Sequence, residues 1–175
     1  MGNEQLIDAL ATALAMEEKG NRFYLDVSNK SKNNITKKTF AYLADNELLH
    51  IDSIKIFHNS LIEKGISPEL DLEATRQKRL GEATLFSNSV KDLKKQAAES
   101  KDDVKACEFA MQLEKDGYNY YKDMLWSSQD KNLSSLLEFL IQEEDRHYQC
   151  IMDLHTFITD SQNWNMYEEN SFPQG

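Results

Sequence analysis

Four stretches of the chain repeat apolar residues every three to four positions, the spacing of one helical face. From Glu4 to Lys30 the stripe reads Leu6, Leu10, Ala13, Leu14, Glu17, Tyr24, Val27. From Thr36 to Lys64 it reads Phe40, Leu43, Glu47, His50, Ile54, Phe57, Leu61. From Lys101 to Ser127 it reads Cys107, Ala110, Met111, Glu114, Tyr121, Met124. From Asn132 to Thr159 it reads Leu137, Leu140, Glu144, His147, Ile151, Leu154, Ile158. Strand-like alternation is scarce, and six Gly and two Pro leave few breaks. The joins SNKSKNN (28–34) and SSQD (127–130) are short and polar, so the four segments pair as two antiparallel hairpins. Residues 65–100, punctuated by Gly65, Pro68 and Gly81, read as a long crossover with one or two short helices. The expected fold is all-α: a four-helix bundle over residues 1–160, with the crossover at about 65–100. The segment 161–175 is a polar tail, too short for a further helix.

The stripes contain an anomaly. Glu47 and His50 interrupt the second one in ELLH (47–50), and Glu144 and His147 interrupt the fourth in EDRH (144–147). Both are Glu-x-x-His, and a shift of 97 residues carries one onto the other. The same shift carries Glu17 to Glu114, Gly20 to Gly117 and Tyr24 to Tyr121, laying MEEKGNRFY (16–24) over LEKDGYNYY (113–121). It also carries Leu10 to Cys107, Phe40 to Leu137, Ile54 to Ile151 and Phe57 to Leu154. The chain therefore reads as a duplicated hairpin, with one Glu on each first helix and Glu-x-x-His on each second. Residues three apart project from one helical face, so each Glu and His point inward together. Packed helices lie about 8–10 Å apart, within reach of Glu and His side chains from opposite sides. Four carboxylates thus converge on the core with no Lys or Arg in the stripes. Unpaired buried charge is prohibitive, and a pair of divalent cations is the natural compensation. Carboxylate-rich sites with one imidazole per metal suit Fe or Mn better than Zn.

Charge and cysteine content narrow the function. Among 175 residues the net charge is −10, which disfavours nucleic acid and anionic membrane surfaces as partners. No apolar run approaches the roughly 20 residues of a membrane span, and the start MGNEQLIDAL lacks the basic region of a signal peptide. A cytoplasmic location is expected. Two cysteines, Cys107 and Cys150, form no CxxC, which argues against a zinc ribbon or a rubredoxin-type iron site in this chain. Both are expected as buried thiols.

On these motifs the chain resembles the rubrerythrin family of ferritin-like di-iron carboxylate proteins. The resemblance covers the four helices and rests on the order Glu…Glu-x-x-His…Glu…Glu-x-x-His. It implies two iron ions (Mn or Zn being alternative loadings), with Glu17 and Glu114 as terminal ligands, Glu47 and Glu144 as bridges, and His50 and His147 capping one iron each. Tyr24 and Tyr121 match the family's tyrosines that hydrogen-bond ligand carboxylates, and are candidate catalytic residues on that basis. Such contacts fix ligand orientation. Three features depart from relatives. Rubrerythrins usually carry a rubredoxin domain, and without CxxC pairs here the electrons are expected from a separate donor such as a rubredoxin. Gly117 stands where many members have an additional Glu, which makes the site as symmetric as a bacterioferritin's. Leu48 stands where bacterioferritins have their haem-binding Met, so no haem is expected.

The resemblance implies a non-haem di-iron oxidoreductase that reduces hydrogen peroxide. Two other readings stand beside it: a ferroxidase that oxidises Fe(II) with oxygen, and a non-catalytic iron- or redox-sensing bundle. A homodimer is the expected assembly. The phase places Glu17 inward rather than Glu18, because Tyr24 and Tyr121 keep step with it. His58 and His155 also obey the 97-residue shift but lack a Glu three residues earlier, and are expected to be partly exposed. Asn46 and Glu143, just before the bridging Glu of each copy, are candidates to contact the opposite His.

Overall fold

The computed structural model describes residues 2–78 and 101–160, and the described residues form helices and loops with no strand. Helix α1 spans Asn3–Lys30, α2 Asn34–Lys64, α3 Leu72–Gln77, α4 Lys101–Ser127 and α5 Lys131–Thr159. Helices α1 and α2 pack closely as one hairpin, and α4 and α5 as the other; α2 lies on α5 and α1 on α4 to close an all-α, ferritin-like bundle. The later part of the expected crossover and the tail after Asp160 lie outside the described residues. The earlier part holds one short helix, α3, as the sequence suggests.

Both inner joins stop and restart a helix by the same chemistry. Asn33 caps α2, its side-chain oxygen accepting from the backbone N–H of Ile35 at 2.9 Å and Thr36 at 3.3 Å. Asp130 caps α5, accepting from Leu133 N–H at 2.9 Å. Such caps satisfy amide donors that the first helical turn leaves open. Because Asn33 caps, α2 begins at Asn34, two residues before the start that periodicity suggests. Gly65 ends α2 in the left-handed region (φ 63°), and its N–H returns to Leu61 O at 3.0 Å. A side chain there would be strained, which is why glycine sits at this stop.

The core is two apolar layers at opposite ends of the bundle. One gathers the C-terminal half of α1, the N-terminal half of α2, the start of α4 and the end of α5: Tyr24, Phe40, Leu43, Cys107, Ile151 and Leu154 among others. The other gathers the complementary halves, including Leu10, Ile54, Phe57, Tyr121, Leu137 and Leu140. The 97-residue shift exchanges the layers: Leu10 of one maps to Cys107 of the other, Phe40 to Leu137, Ile54 to Ile151. The duplication is therefore expressed as an approximate twofold relation that swaps the bundle's two ends. The interrupting Glu and His residues fall between the layers, at mid-bundle. Cys107 and Cys150 are buried thiols, and burial, with nearby Asp103 and Glu108, pushes the Cys107 thiol up to about 12. Leu14 and Met111, assigned to the stripes above, lie half-buried at the edges of the layers instead. Each falls one residue after a stripe position that is buried, so it sits at the flank of the face.

Polar contacts tie the hairpins together at the ends. Ser31 Oγ donates to Asp103 Oδ2 at 2.8 Å, and Tyr120 Oη donates to Ala9 O at 2.9 Å. Asn132 Nδ2 reaches Ser67 O at 2.9 Å, and Arg76 of α3 donates to Gln142 Oε1 at 2.6 Å, so the described crossover runs along α5.

Candidate metal centre

All six residues predicted as ligands meet at mid-bundle, each 4% exposed or less. Glu17 comes from α1, Glu47 and His50 from α2, Glu114 from α4, Glu144 and His147 from α5. Glu18, the alternative inward residue, is half-exposed, and pairs with Arg22 and Lys55 near the surface. His50 Nδ1 faces three carboxylates: Glu17 Oε2 at 3.3 Å, Glu47 Oε2 at 3.5 Å and Glu144 Oε1 at 3.7 Å. His147 Nδ1 faces Glu47 Oε1 at 3.1 Å and Glu114 Oε2 at 3.6 Å. Glu47 thus lies between the imidazoles, one oxygen toward each. The rings stack with centroids 5.2 Å apart and planes 20° from parallel.

Each tyrosine holds a carboxylate of the other hairpin. Tyr24 Oη donates to Glu114 Oε1, and Tyr121 Oη donates to Glu17 Oε1. Both phenols are fully buried, and burial together with the neighbouring carboxylates pushes them well above their ordinary range. They remain protonated donors at physiological pH. The outer wall behind His50 is Phe139, edge-on at 6.1 Å, and Arg76 lies over that ring at 5.4 Å.

The electrostatics of this cluster are those of too many carboxylates for the available cations. Burial, then the Glu47 charge, pushes Glu17 up to about 8. Burial, then Glu114, Glu17 and Glu47, raises Glu144 well above the carboxylate range. Glu47 differs: burial disfavours its charge, but hydrogen bonds from Glu17 and both imidazoles, with the charge of His50, hold it below. Burial also disfavours imidazolium, yet Glu17 and Glu47 outweigh it at His50, and Glu114 and Glu47 push His147 up to about 9. Protons are standing in for missing positive charge.

The donor set fits metal ions. Buried atoms of these residues without a hydrogen-bond partner among the described residues include His50 Nε2, His147 Nε2, Glu114 Oε2 and Glu144 Oε1. An orphaned buried acceptor costs about 1–3 kcal/mol, and a cation at that place removes the cost. Ligand atoms of Glu17, Glu47, His50 and Glu144 lie within 4.8 Å of one another, as do those of Glu47, His50 and His147, and each set could hold a metal ion. Glu114 joins through His147 and Tyr24.

Other expectations fall outside this cluster. His58 and His155 are half-exposed, as their missing Glu partners suggest. Asn46 and Glu143 are buried; Glu143 pairs with Arg146 at 3.3 Å, and Asn46 Nδ2 has no hydrogen-bond partner among the described residues. The steric role of Gly20 and Gly117 was not evident from the stripes. A Cβ at Gly117 would stand 2.8 Å from Glu144 Oε2, and one at Gly20 would stand 3.9 Å from the Glu47 carboxylate. The signal was present in the repeat, since the shift carries one glycine onto the other.

A family model described as Rubrerythrin matches residues 8–155, spanning the bundle and all six candidate ligands. Comparison with curated proteins and with solved structures gives no match. Among the described residues no helix is long and apolar enough to cross a membrane.

Proposed function

Because the chain belongs to the rubrerythrin family, we propose that it is a di-iron oxidoreductase that reduces hydrogen peroxide to water. The balance is one peroxide, two protons and two electrons giving two waters. The observation that carries this reading is the paired set of Glu17 with Glu47 and His50, and Glu114 with Glu144 and His147, buried where no Lys or Arg among the described residues pairs with it. Glu47 and Glu144 would sit between the two irons, Glu17 and Glu114 at the outer ends, and His50 and His147 would each bind one iron. When bound, an iron pair supplies both electrons at once, so no radical leaves the site.

The protein's own groups have three tasks. The carboxylates and imidazoles bind the metals and surrender protons as they do so. Tyr24 and Tyr121 orient Glu114 and Glu17 through their phenol protons, which burial holds in place. The stacked imidazoles and Phe139 keep water from the α2–α5 side. Electrons come from a separate donor protein such as a rubredoxin, and the working unit is a cytoplasmic homodimer.

Gly117 favours a second reading, a ferroxidase that oxidises Fe(II) with oxygen, because the site has no additional carboxylate on α4 at that position. One experiment separates them. The protein is loaded with Fe(II) without oxygen, then mixed with peroxide or oxygen while oxidation is followed optically. Faster oxidation by peroxide supports the peroxidase; equal or faster oxidation by oxygen replaces it with the ferroxidase.

A further inference from the structure

Two cavities reach the ligand carboxylates. One lies between α1 and α4; the other, of about 250 Å³, lies within the second hairpin, between α4 and α5, and ends on Glu114 and Glu144. The lining of the second follows from helical spacing. Glu114 and Tyr118 stand one turn apart on α4, as do Lys115 and Asn119, and Glu144 and Tyr148 stand one turn apart on α5. Burial grades along the cavity: Lys115, Asn119 and Asp145 are exposed, Tyr118 and Tyr148 half-buried, Glu114 and Glu144 buried. Six of the seven lining side chains carry oxygen. Lys122 is held to one side, its Nζ over the Tyr118 ring at 5.2 Å.

That lining suits a hydrated divalent cation. Carboxylate, amide and phenol oxygens are hard donors that can replace the waters around such an ion one at a time. Six waters take about 180 Å³ at about 30 Å³ each, so the cavity admits an ion that still carries its hydration shell. At the inner end Glu114 Oε2 and Glu144 Oε1, both buried, have no hydrogen-bond partner among the described residues. Three lining carboxylates stand against one Lys, so the cavity is net negative. The other hairpin, built from the same repeat, reverses these features. The 97-residue shift puts Arg22 at the place of Asn119, Leu48 at that of Asp145 and Ile51 at that of Tyr148. Asn21, the counterpart of Tyr118, is buried and donates to Ala44 O at 2.7 Å, which ties α1 to α2. Glu18, the counterpart of Lys115, is paired with Arg22 at 3.8 Å and Lys55 at 3.6 Å. A cation approaching that hairpin meets two positive side chains.

We propose that the cavity between α4 and α5 is the route by which divalent metal enters and leaves the centre, with Asp145 and Asn119 receiving the ion at its mouth and Tyr118 and Tyr148 passing it to Glu114 and Glu144. This rests on the di-iron reading above. The duplicated centre thus loads through one hairpin only. None of the four receiving residues is a ligand, so they set the rate in both directions and leave the final affinity to the six ligands.

The test uses Co(II) as probe on the metal-free full chain in about 0.15 M salt, where charges more than about 8 Å apart are largely screened. Uptake and chelator-driven release are timed optically, and the ions bound per chain are counted at equilibrium. Asp145→Leu and Asn119→Arg install the other hairpin's residues at exposed positions. Each should slow uptake and release alike, Asp145→Leu about fivefold and Asn119→Arg about tenfold, with affinity kept within about threefold. Leu48→Lys makes the same charge change as Asp145→Leu at the counterpart position, and should shift either rate by less than about twofold. Unaltered rates in both cavity variants, or equal slowing by Leu48→Lys, would overturn the route. Slower uptake with faster release, so that affinity falls in step, would make Asp145 and Asn119 part of the binding set and overturn it as well. An unaltered protein that binds fewer than two Co(II) overturns the di-iron reading itself, and the route with it. Two ions bound, with unaltered rates in both cavity variants, overturn the route alone.

Discussion

The hairpins α1–α2 and α4–α5 carry the same ligand pattern, yet they build unlike halves of one centre. Glu47 and Glu144 are related by the duplication, but hydrogen bonds and the His50 charge hold Glu47 below the ordinary carboxylate range, while burial and three carboxylates push Glu144 above it. Glu47 places one oxygen toward each imidazole. Glu144 reaches His50 at 3.7 Å and leans against Gly117. Repetition therefore fixes which residues enter the centre; packing decides what each does there. A twofold relation in sequence imposes no equality on side chains that crowd one small space.

The strongest break should come at Glu47, the carboxylate that serves both imidazoles. Glu47→Ala is expected to remove most of the bound iron, measured as metal per chain after gel filtration, and Glu144→Ala to retain more. His147→Ala should also lose most of its iron. Full iron content in these variants would sink the ligand assignment.

Next in size is the effect of pH on metal-free protein. Glu17 rises from 4.5 to about 8 on folding, and His147 from 6.5 to about 9, so the folded state holds more protons than the unfolded state over this range. Their contribution is present at low pH and is lost as pH rises from about 4.5 through 9. Glu47 has the opposite sign: its contribution is fully present above pH 4.5 and is lost only as pH falls below that, so it does not change over this range. Melting temperature without metal should fall from pH 6 to 9. With metal in place of those protons it should hold or rise, because deprotonated ligands bind more tightly. Parallel melting curves with and without chelator check this, and identical curves would remove the case for a charge-compensating metal.

A smaller effect sharpens the comparison at the tyrosines. Tyr24→Phe frees Glu114 and Tyr121→Phe frees Glu17, each leaving a buried oxygen without its donor. Metal affinity should drop about 10–100-fold in each. Tyr121→Phe should also raise the proton affinity of Glu17, visible as a steeper pH dependence of metal binding. The smallest effect is where the hairpins are alike. Asn33→Ala and Asp130→Ala should each cost about 1 kcal/mol by denaturant unfolding. Costs that differ by more than about twofold would show that the duplicated caps, too, have diverged.

Much of this was legible in residue spacing, for a physical reason. A helix repeats every 3.6 residues, so Glu47 with His50 and Glu144 with His147 had to share a face, and their place among Leu43, Ile54, Leu140 and Ile151 had to point that face inward. Local periodicity also separated Glu17 from Glu18. It failed at Leu14 and Met111, because the edge of an apolar stripe depends on how far the neighbouring helix reaches. It gave no account of Gly20 and Gly117, since an absent side chain matters only through what fills its space.

By itself the sequence determined the helices, the two hairpins and the six residues that meet at mid-bundle, because each follows from contacts a few residues apart or from the repeat. Only the tertiary structure decided that the two copies exchange the bundle's ends, that each tyrosine holds the other hairpin's carboxylate, and that Glu144 lies in the place left by Gly117. Those outcomes depend on distances between helices far apart in the chain, set by the total packing of the core and not by any local pattern.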